Sequence, residues 1–204
     1  SNKAKFLFAS TSEVYGDPEI SPQHEGYKGS VNTIGARSCY DEGKRVAESL
    51  CFDYLRTHNL EIRVARIFNT YGPKMAKNDG RVVSNFICQS LLNKSITVFG
   101  EGKQTRSFCY VDDLIEGLLK IMDSNSNGPI NIGNPNEISI YELAHKIKNK
   151  INPNVNIVHE PLPEDDPKQR MPDISKAKEI LNWEPRYDID LGLDLTIKYF
   201  KSIV

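Results

Sequence analysis

Tyr40 and Lys44 stand four residues apart, so a helix carries both on one face within one turn. A phenol with an ordinary pKa of about 10 is a poor base at neutral pH, but a neighbouring ammonium favours the phenolate and makes such a pair a proton shuttle. Thr11-Ser12-Glu13 directly follows Phe6-Leu7-Phe8-Ala9-Ser10, an apolar run that reads as a buried strand. Two hydroxyls and a carboxylate at the carboxyl end of a parallel strand open onto a ligand crevice, where they can hold a sugar hydroxyl and move a proton. Asn69-Thr70-Tyr71-Gly72-Pro73 ends the next apolar run and opens onto the same crevice. Arg81, Arg106 and Arg170 can clamp phosphate or carboxylate, because guanidinium is bidentate and always charged. The plainer alternatives are a capped turn for the hydroxyls and solvated surface for the arginines. Gly100-Glu101-Gly102 starts like a dinucleotide fingerprint but lacks the third glycine and lies between strands, so it is set aside.

The elements that must position these groups alternate. Residues 5–10 predict a strand. Residues 38–59 predict a helix with Val46, Leu50, Tyr54 and Leu55 at helical spacing, and 62–68 a second strand. Together they form a βαβ unit with a parallel pair. Further on, 82–93 predicts a helix, and 97–100 and 107–111 predict strands. Asp112 is expected to cap a helix over 113–123. A strand at 129–133 precedes a helix at 140–151, capped by Ser139 with Glu142 closing a capping box. A strand at 155–159, an acidic proline-bearing loop at 161–172 and helices at 175–182 and 191–203 complete the chain. The class is α/β with parallel strands. The first half supplies only two central strands, and a domain rarely opens on one, so either Ser1 is the mature end of something or upstream sequence is missing.

The 204 residues are 39% hydrophobic, enough for one full core or a core and a small lobe. With 26 basic and 27 acidic side chains the net charge is -1, which argues against nonspecific nucleic-acid binding. No apolar run reaches membrane-spanning length. The four cysteines form no C-x-x-C pair, and the four histidines are scattered, so reduced thiols, a cytoplasmic setting and no metal site are expected. Any upstream segment remains free to carry a membrane anchor.

Thr11-Ser12-Glu13-Val14-Tyr15-Gly16 with Tyr40-x-x-x-Lys44 about thirty residues on resembles the extended short-chain dehydrogenase/reductase superfamily of nucleotide-sugar enzymes. Within it, several strings resemble the UDP-glucuronic acid decarboxylase family. They are Cys39-Tyr40-Asp41-Glu42-Gly43-Lys44-Arg45, Arg66-Ile67-Phe68-Asn69-Thr70-Tyr71-Gly72-Pro73, Asn78-Asp79-Gly80-Arg81-Val82-Val83-Ser84-Asn85-Phe86 and Gln104-Thr105-Arg106-Ser107-Phe108. Asp165-Asp166-Pro167 with Gln169-Arg170, and Trp183-Glu184-Pro185, complete the set, which covers the chain after Lys3. In three places the sequence departs from that family's pattern. Tyr27-Lys28-Gly29-Ser30 replaces a usual Tyr-Trp-Gly-His, Val31-Asn32-Thr33-Ile34-Gly35-Ala36-Arg37 replaces Val-Asn-Pro-Ile-Gly-Pro-Arg, and Met171 stands where lysine is usual. The family's Gly-x-x-Gly-x-x-Gly loop, about a hundred residues before Thr-Ser-Glu, is not in this sequence, which resembles the carboxyl-terminal two-thirds of such an enzyme.

The resemblance implies a Rossmann-like parallel sheet with a small α/β substrate-binding lobe. Residues 1–75 would be the remaining part of an NAD-binding domain. Residues 76–204 would be mainly a UDP-sugar lobe, with segments near 107–135 returning to the sheet. It implies NAD-dependent conversion of UDP-glucuronate to UDP-xylose through a 4-keto sugar. Tyr40 would take the hydroxyl proton, and Lys44 would lower its pKa and hold the nicotinamide ribose, with Ile67 and Phe68 on the cofactor side. Thr11 and Ser12 would position the sugar, and Glu13 would assist decarboxylation or protonation. Arg170 would orient the sugar carboxylate or donate a proton. Asn69, Arg81, Val82, Gln104 and Arg106 would bind UDP. The alternatives are a nucleotide-sugar 4,6-dehydratase or 4-epimerase, or a noncatalytic UDP-sugar-binding fragment; Thr-Ser-Glu disfavours the dehydratase, which typically has Asp-Glu after the Thr. A homodimer through the 38–59 and 82–93 helices is implied, and a chain of these residues alone is expected to bind NAD weakly and be inactive.

Overall fold

A computed structural model describes residues 4–161 and 169–204. The first unit is β1 (Phe6–Thr11), a 3-10 turn (Ser12–Tyr15), α1 (Ser38–His58) and β2 (Ile62–Ile67). β1 and β2 pair in parallel, with Phe6 beside Ile62 and Thr11 beside Ile67, so both strands end at the same level. α1 stops where Asn59 turns left-handed, and Arg56 and His58 in its last turn complement the negative end of the helix dipole.

β3 (Thr70–Tyr71) pairs in parallel with β6 (Cys109–Tyr110), and β4 (Ile96–Phe99) with β9 (Ile157–Glu160). β5 (Thr105–Ser107) runs antiparallel to β8 (Glu137–Ser139), so the strands are not all parallel. β7 (Ile130–Ile132) joins β2, giving a parallel sheet in the order β1-β2-β7 with β1 at an open edge among the described residues. The helices α2 (Val82–Leu91), α3 (Val111–Asp123), α4 (Ile140–Ile151), α5 (Ser175–Leu181) and α6 (Ile189–Phe200) cover these strands.

Burial divides the apolar residues into packed groups. Ala65, Ile130 and Ile132 of the sheet meet Leu114, Ile121, Ala177 and Trp183. A larger core joins Val83, Phe86 and Ile87 of α2 to Ile96, Val98, Leu143, Ile147, Leu193 and Phe200. Trp183 donates from its indole N–H to the Asp113 carbonyl at 3.1 Å. The Asp113 carboxylate accepts from the main-chain N–H groups of Arg186 and Tyr187 at 3.0 and 3.1 Å. That lock explains what Trp183-Glu184-Pro185 does locally.

The structure corrects several sequence expectations. Asp112 is not a cap: Tyr110 holds that position, and Asp112 lies in the first turn of α3, where a carboxylate suits the positive end of the dipole. The run 107–111 is split, because the chain leaves β5 after Ser107 and resumes beside Thr70 at Cys109. The apolar residues of α2 are used inside the larger core and do not form an open face. Val46, Leu50 and Tyr54 of α1 do form one; Leu50 is 54% exposed. Asp165, Asp166 and Pro167 lie outside the described residues. The capping box on α4 is present, with Ser139 Oγ accepting from Glu142 N at 3.1 Å and Glu142 Oε2 accepting from Ser139 N at 3.1 Å. Ser139→Ala is expected to cost about 1 kcal/mol in urea denaturation, the usual cost of a lost N-cap.

Candidate active site

The common end of β1 and β2 is the base of the site. Thr11 terminates β1, and its hydroxyl accepts from Glu13 N at 3.3 Å, which turns the chain into the 3-10 turn and sets Glu13 outward. Gly16 ends that turn at φ 64°, and a Cβ there would lie 1.9 Å from the Ser30 carbonyl oxygen, so only glycine fits. Arg45 of α1 donates to the Val14 and Lys28 carbonyls at 2.9 and 2.8 Å and ties this loop to the helix.

Tyr40 and Lys44 fall on the first turns of α1. Lys44 Nζ donates to the Ala9 carbonyl of β1 at 2.9 Å and lies 5.8 Å from the Tyr40 ring centroid and 5.1 Å from that of Phe8. Tyr40 is half-exposed, at 50%. Thr11 and Ser12 are buried.

Glu13 is held by two cations. Arg37 Nη2 lies 2.9 Å from Oε2, and Arg170 Nη1 pairs with Oε1. Arg170 Nη2 also donates to the Gly16 carbonyl at 3.3 Å. The pairing of residues so far apart in sequence depends on Gln23. Its main chain and side chain exchange hydrogen bonds with Met171, and its carbonyl accepts from Asp173 N. Asn131 of β7 fastens this clip by donating to the Gln23 and Asp173 carbonyls, both at 3.0 Å. Glu13, Arg37, Asp41 and Arg170, with Asn32 and Ser30, line a cavity of ≈ 300 Å³.

A second cavity, of ≈ 260 Å³, lies beyond the second strand. It brings together Asn69, Arg81, Val82, Gln104 and Arg106, with Phe99 and Phe108 as aromatic walls. Arg81 pairs with Asp79, Nη2 donating to Oδ1 at 2.8 Å. That hydrogen bond holds the Asp79 carboxyl below its ordinary range and the Arg81 guanidinium above its own. Gln104 Nε2 donates to the Phe99 carbonyl at 3.0 Å, and Arg106 Nη1 to the Thr105 carbonyl at 2.8 Å.

Tyr40, Lys44, Thr11 and Ser12 border neither cavity wall, and Ile67 and Phe68 face inward. Phe68 is buried with Val14, Tyr15 and Tyr27, while Ile67 packs on the sheet core. Arg37 and Asp41 join the site although sequence reasoning assigned them no role. Asp41 follows Tyr40 directly, and Arg37 is the last residue before α1. Among the described residues no group of three or more His, Cys, Asp or Glu is arranged to hold a metal ion, and no helix is long and apolar enough to cross a membrane.

The arrangement has solved counterparts. UDP-glucose 4-epimerase from Thermotoga maritima, solved with UDP-glucose, superposes with a TM-score of 0.91 at 29% identity, over 98% of this chain and 64% of that one. UDP-glucuronic acid 4-epimerase from Bacillus cereus, solved with UDP-glucuronic acid and NAD, gives 0.88 at 30% identity, over 98% and 62%. The chain is 59% identical to UDP-glucuronic acid decarboxylase 3 of Arabidopsis thaliana over 198 residues, which is 97% of this chain and 58% of that relative's length. Residues 1–196 match the family model described as GDP-mannose 4,6 dehydratase, and the chain belongs to that family.

Proposed function

We propose that the protein containing this chain is an NAD-dependent UDP-glucuronate decarboxylase. The observation that carries this reading is the carboxylate–guanidinium group Glu13, Arg37 and Arg170 in one cavity, beside a second cavity lined by Asn69, Arg81, Gln104 and Arg106. The first suits a sugar bearing a carboxylate, and the second suits a nucleoside diphosphate with its base between aromatic walls. The relatedness to a UDP-glucuronic acid decarboxylase supports the same reading.

Tyr40 takes the proton from the sugar 4-hydroxyl, and Lys44, fixed on the Ala9 carbonyl beside its ring, supplies the positive charge. The half-exposed Tyr40 and the partly buried Lys44 at the end of a parallel strand fit a nicotinamide ribose, with the chain at Ile67 and Phe68 on the same side. Tyr40 and Lys44 would hold NAD at its ribose, and the bound cofactor would supply reversible hydride transfer at the sugar C4. Thr11 and Ser12 position the ring. Arg170 orients the carboxylate that leaves as CO2, with the 4-keto group accepting its electrons, and Glu13 assists the protonation that follows. In this reading residues 1–75, with return segments near 107–135, serve the cofactor, and 76–204 mainly hold the UDP-sugar. α5 extends the first part, since it packs on β7.

The test is incubation of the full-length protein with NAD and UDP-glucuronate. The expected products are CO2 and UDP-xylose. Recovery of a C4-epimerised or 6-deoxy sugar with no CO2 would replace this reading with an epimerase or dehydratase, and UDP binding with no turnover would leave the noncatalytic one.

The open face of Val46, Leu50 and Tyr54 supports a homodimer through α1. Leu50→Glu in the full-length protein is expected to convert dimer to monomer in sedimentation at micromolar concentration. A wild-type monomer, or a Leu50→Glu dimer, would exclude that interface.

A further inference from the structure

Thr105 and Ser107 flank Arg106 in β5, and the two-residue period of a strand turns their side chains to one face and Arg106 to the other. Arg106 lines the cavity walled by Phe99 and Phe108. Ser107 stands opposite Glu137 in the antiparallel register with β8, so Glu137 shares the face of Thr105 and Ser107. The proposed chemistry leaves all three of these polar side chains unused.

That face carries the chain on which Arg170 is mounted. Ser107 Oγ donates to the Arg170 carbonyl at 3.2 Å, and both residues are buried. Glu137 uses both of its oxygens: Oε1 accepts from Thr105 Oγ1 at 2.7 Å, and Oε2 from Gln169 Nε2 at 3.0 Å. Residues 169 and 170 are thereby fastened to β5 and β8, while 171 and 173 are fastened to Gln23 and Asn131. Arg170 sits between the two sets of anchors.

Its guanidinium needs such fixing. Arg170 is 4% exposed; Nη1 pairs with Glu13, Nη2 donates to the Gly16 carbonyl, and Nε is buried without a hydrogen-bond partner among the described residues. A guanidinium is a rigid planar fork, and it meets a carboxylate through two parallel bonds only in one orientation. Released from β5 and β8, the residue keeps its charge and loses that orientation. Glu137 lines neither cavity, so it acts on a bound sugar only through the chain it holds.

We propose that Glu137, with Ser107, is a positioning residue that sets the Arg170 guanidinium for the carboxylate of the bound sugar. The strand pair beside one cavity thus governs recognition in the other. This role rests on the reading of Arg170 as the group that orients that carboxylate. UDP-xylose is the control ligand, because it carries the same nucleotide and a sugar ring without the carboxylate.

The experiment is titration calorimetry on the full-length protein carrying Tyr40→Phe, with NAD present, so that binding is read without turnover. Ser107→Ala with Glu137→Ala is expected to weaken UDP-glucuronate by about tenfold, the scale of one to two lost hydrogen bonds, and UDP-xylose by less than about twofold. Arg170→Met in the same background should itself weaken UDP-glucuronate, and adding the two alanines to it should cost nothing further with either sugar. Equal weakening of both sugars, weakening of neither, or a loss that persists on top of Arg170→Met overturns the proposal. Should the paired variant fail to fold, Glu137→Ala alone, at a partly exposed side chain, decides by the same comparison, with a difference of about threefold between the sugars expected. Alanine variants that leave UDP-glucuronate unchanged where Arg170→Met weakens it overturn this inference alone. Arg170→Met without effect on UDP-glucuronate overturns the reading of Arg170 as well.

Discussion

Tyr40→Phe in the full-length protein is expected to slow turnover by at least about 10²-fold, the scale of general acid–base catalysis, while leaving the melting temperature unchanged. The two halves of that expectation come from the same geometry. The ring is half-exposed, so no core packing depends on the hydroxyl. Phenylalanine keeps the ring near the Lys44 ammonium, and Lys44 keeps its anchor on the Ala9 carbonyl. What is lost is the one group on that face able to accept the 4-hydroxyl proton. Steady-state rates of CO2 release with a thermal melt on the same samples make the measurement. Wild-type turnover in Tyr40→Phe would exclude the phenol as the base, and a large fall in melting temperature would show that the hydroxyl is structural.

The shared face of Tyr40 and Lys44 was readable in the sequence because its determinants are local. Tyr40 and Lys44 share a face through helical spacing alone, and the apolar run 62–67 has only one periodicity to offer. β1 is found one residue beyond the expected end, and α1 one residue short of it. The misses are of another kind. β3, of two residues, and β8, of three, are too short to show a period, and they exist because a partner strand lies beside them. Asp112 satisfied the usual cap preference, but the chain enters α3 directly from β6 and places the helix start two residues earlier. Arg170 could be named as a cation, but its meeting with Glu13 depends on Gln23 and Asn131, whose hydrogen bonds join three distant segments. Polar residues that clip loops together have no periodic signature. Asp41 was hidden for a related reason: a carboxyl on the first turn of a helix ordinarily faces water, and only the fold around it shows that this one does not.

Glu48→Ala is expected to destabilise the protein by about 3–5 kcal/mol, the cost of breaking a buried ion pair by removing one partner. Glu48 follows Tyr40 and Lys44 on the same face of α1 and accepts from Ser10 Oγ at the end of β1. It also accepts from Arg66 Nε and Nη2 of β2 at 3.0 and 2.7 Å. Burial opposes the Arg66 charge, but these hydrogen bonds outweigh it and keep the guanidinium above its ordinary range. Arg66 Nη1 donates onward to Tyr15 Oη at 3.0 Å. Burial pushes the Tyr15 phenol up to about 12, so it stays neutral and donates to Asn131 Oδ1 at 2.8 Å. The chain of bonds thus ties the helix bearing the dyad to both strands and to the residue that fastens the Arg170 segment. Glu48→Ala leaves the Arg66 cation buried without its carboxylate, and Arg66→Met leaves the Glu48 carboxylate without its cation. Glu48→Leu with Arg66→Met removes both charges and should cost less than the two single losses summed, because no uncompensated charge remains. Denaturant midpoints of the three variants measure this. Turnover separates two roles for the pair: if it only stabilises, the double variant regains activity along with stability. If it also sets the dyad over the strand ends, stability returns while turnover stays low, because a displacement of about 1 Å at a catalytic group can cost as much as 10²-fold. A loss below about 1 kcal/mol for Glu48→Ala would place the pair with weak surface ion pairs and remove it as the anchor of α1.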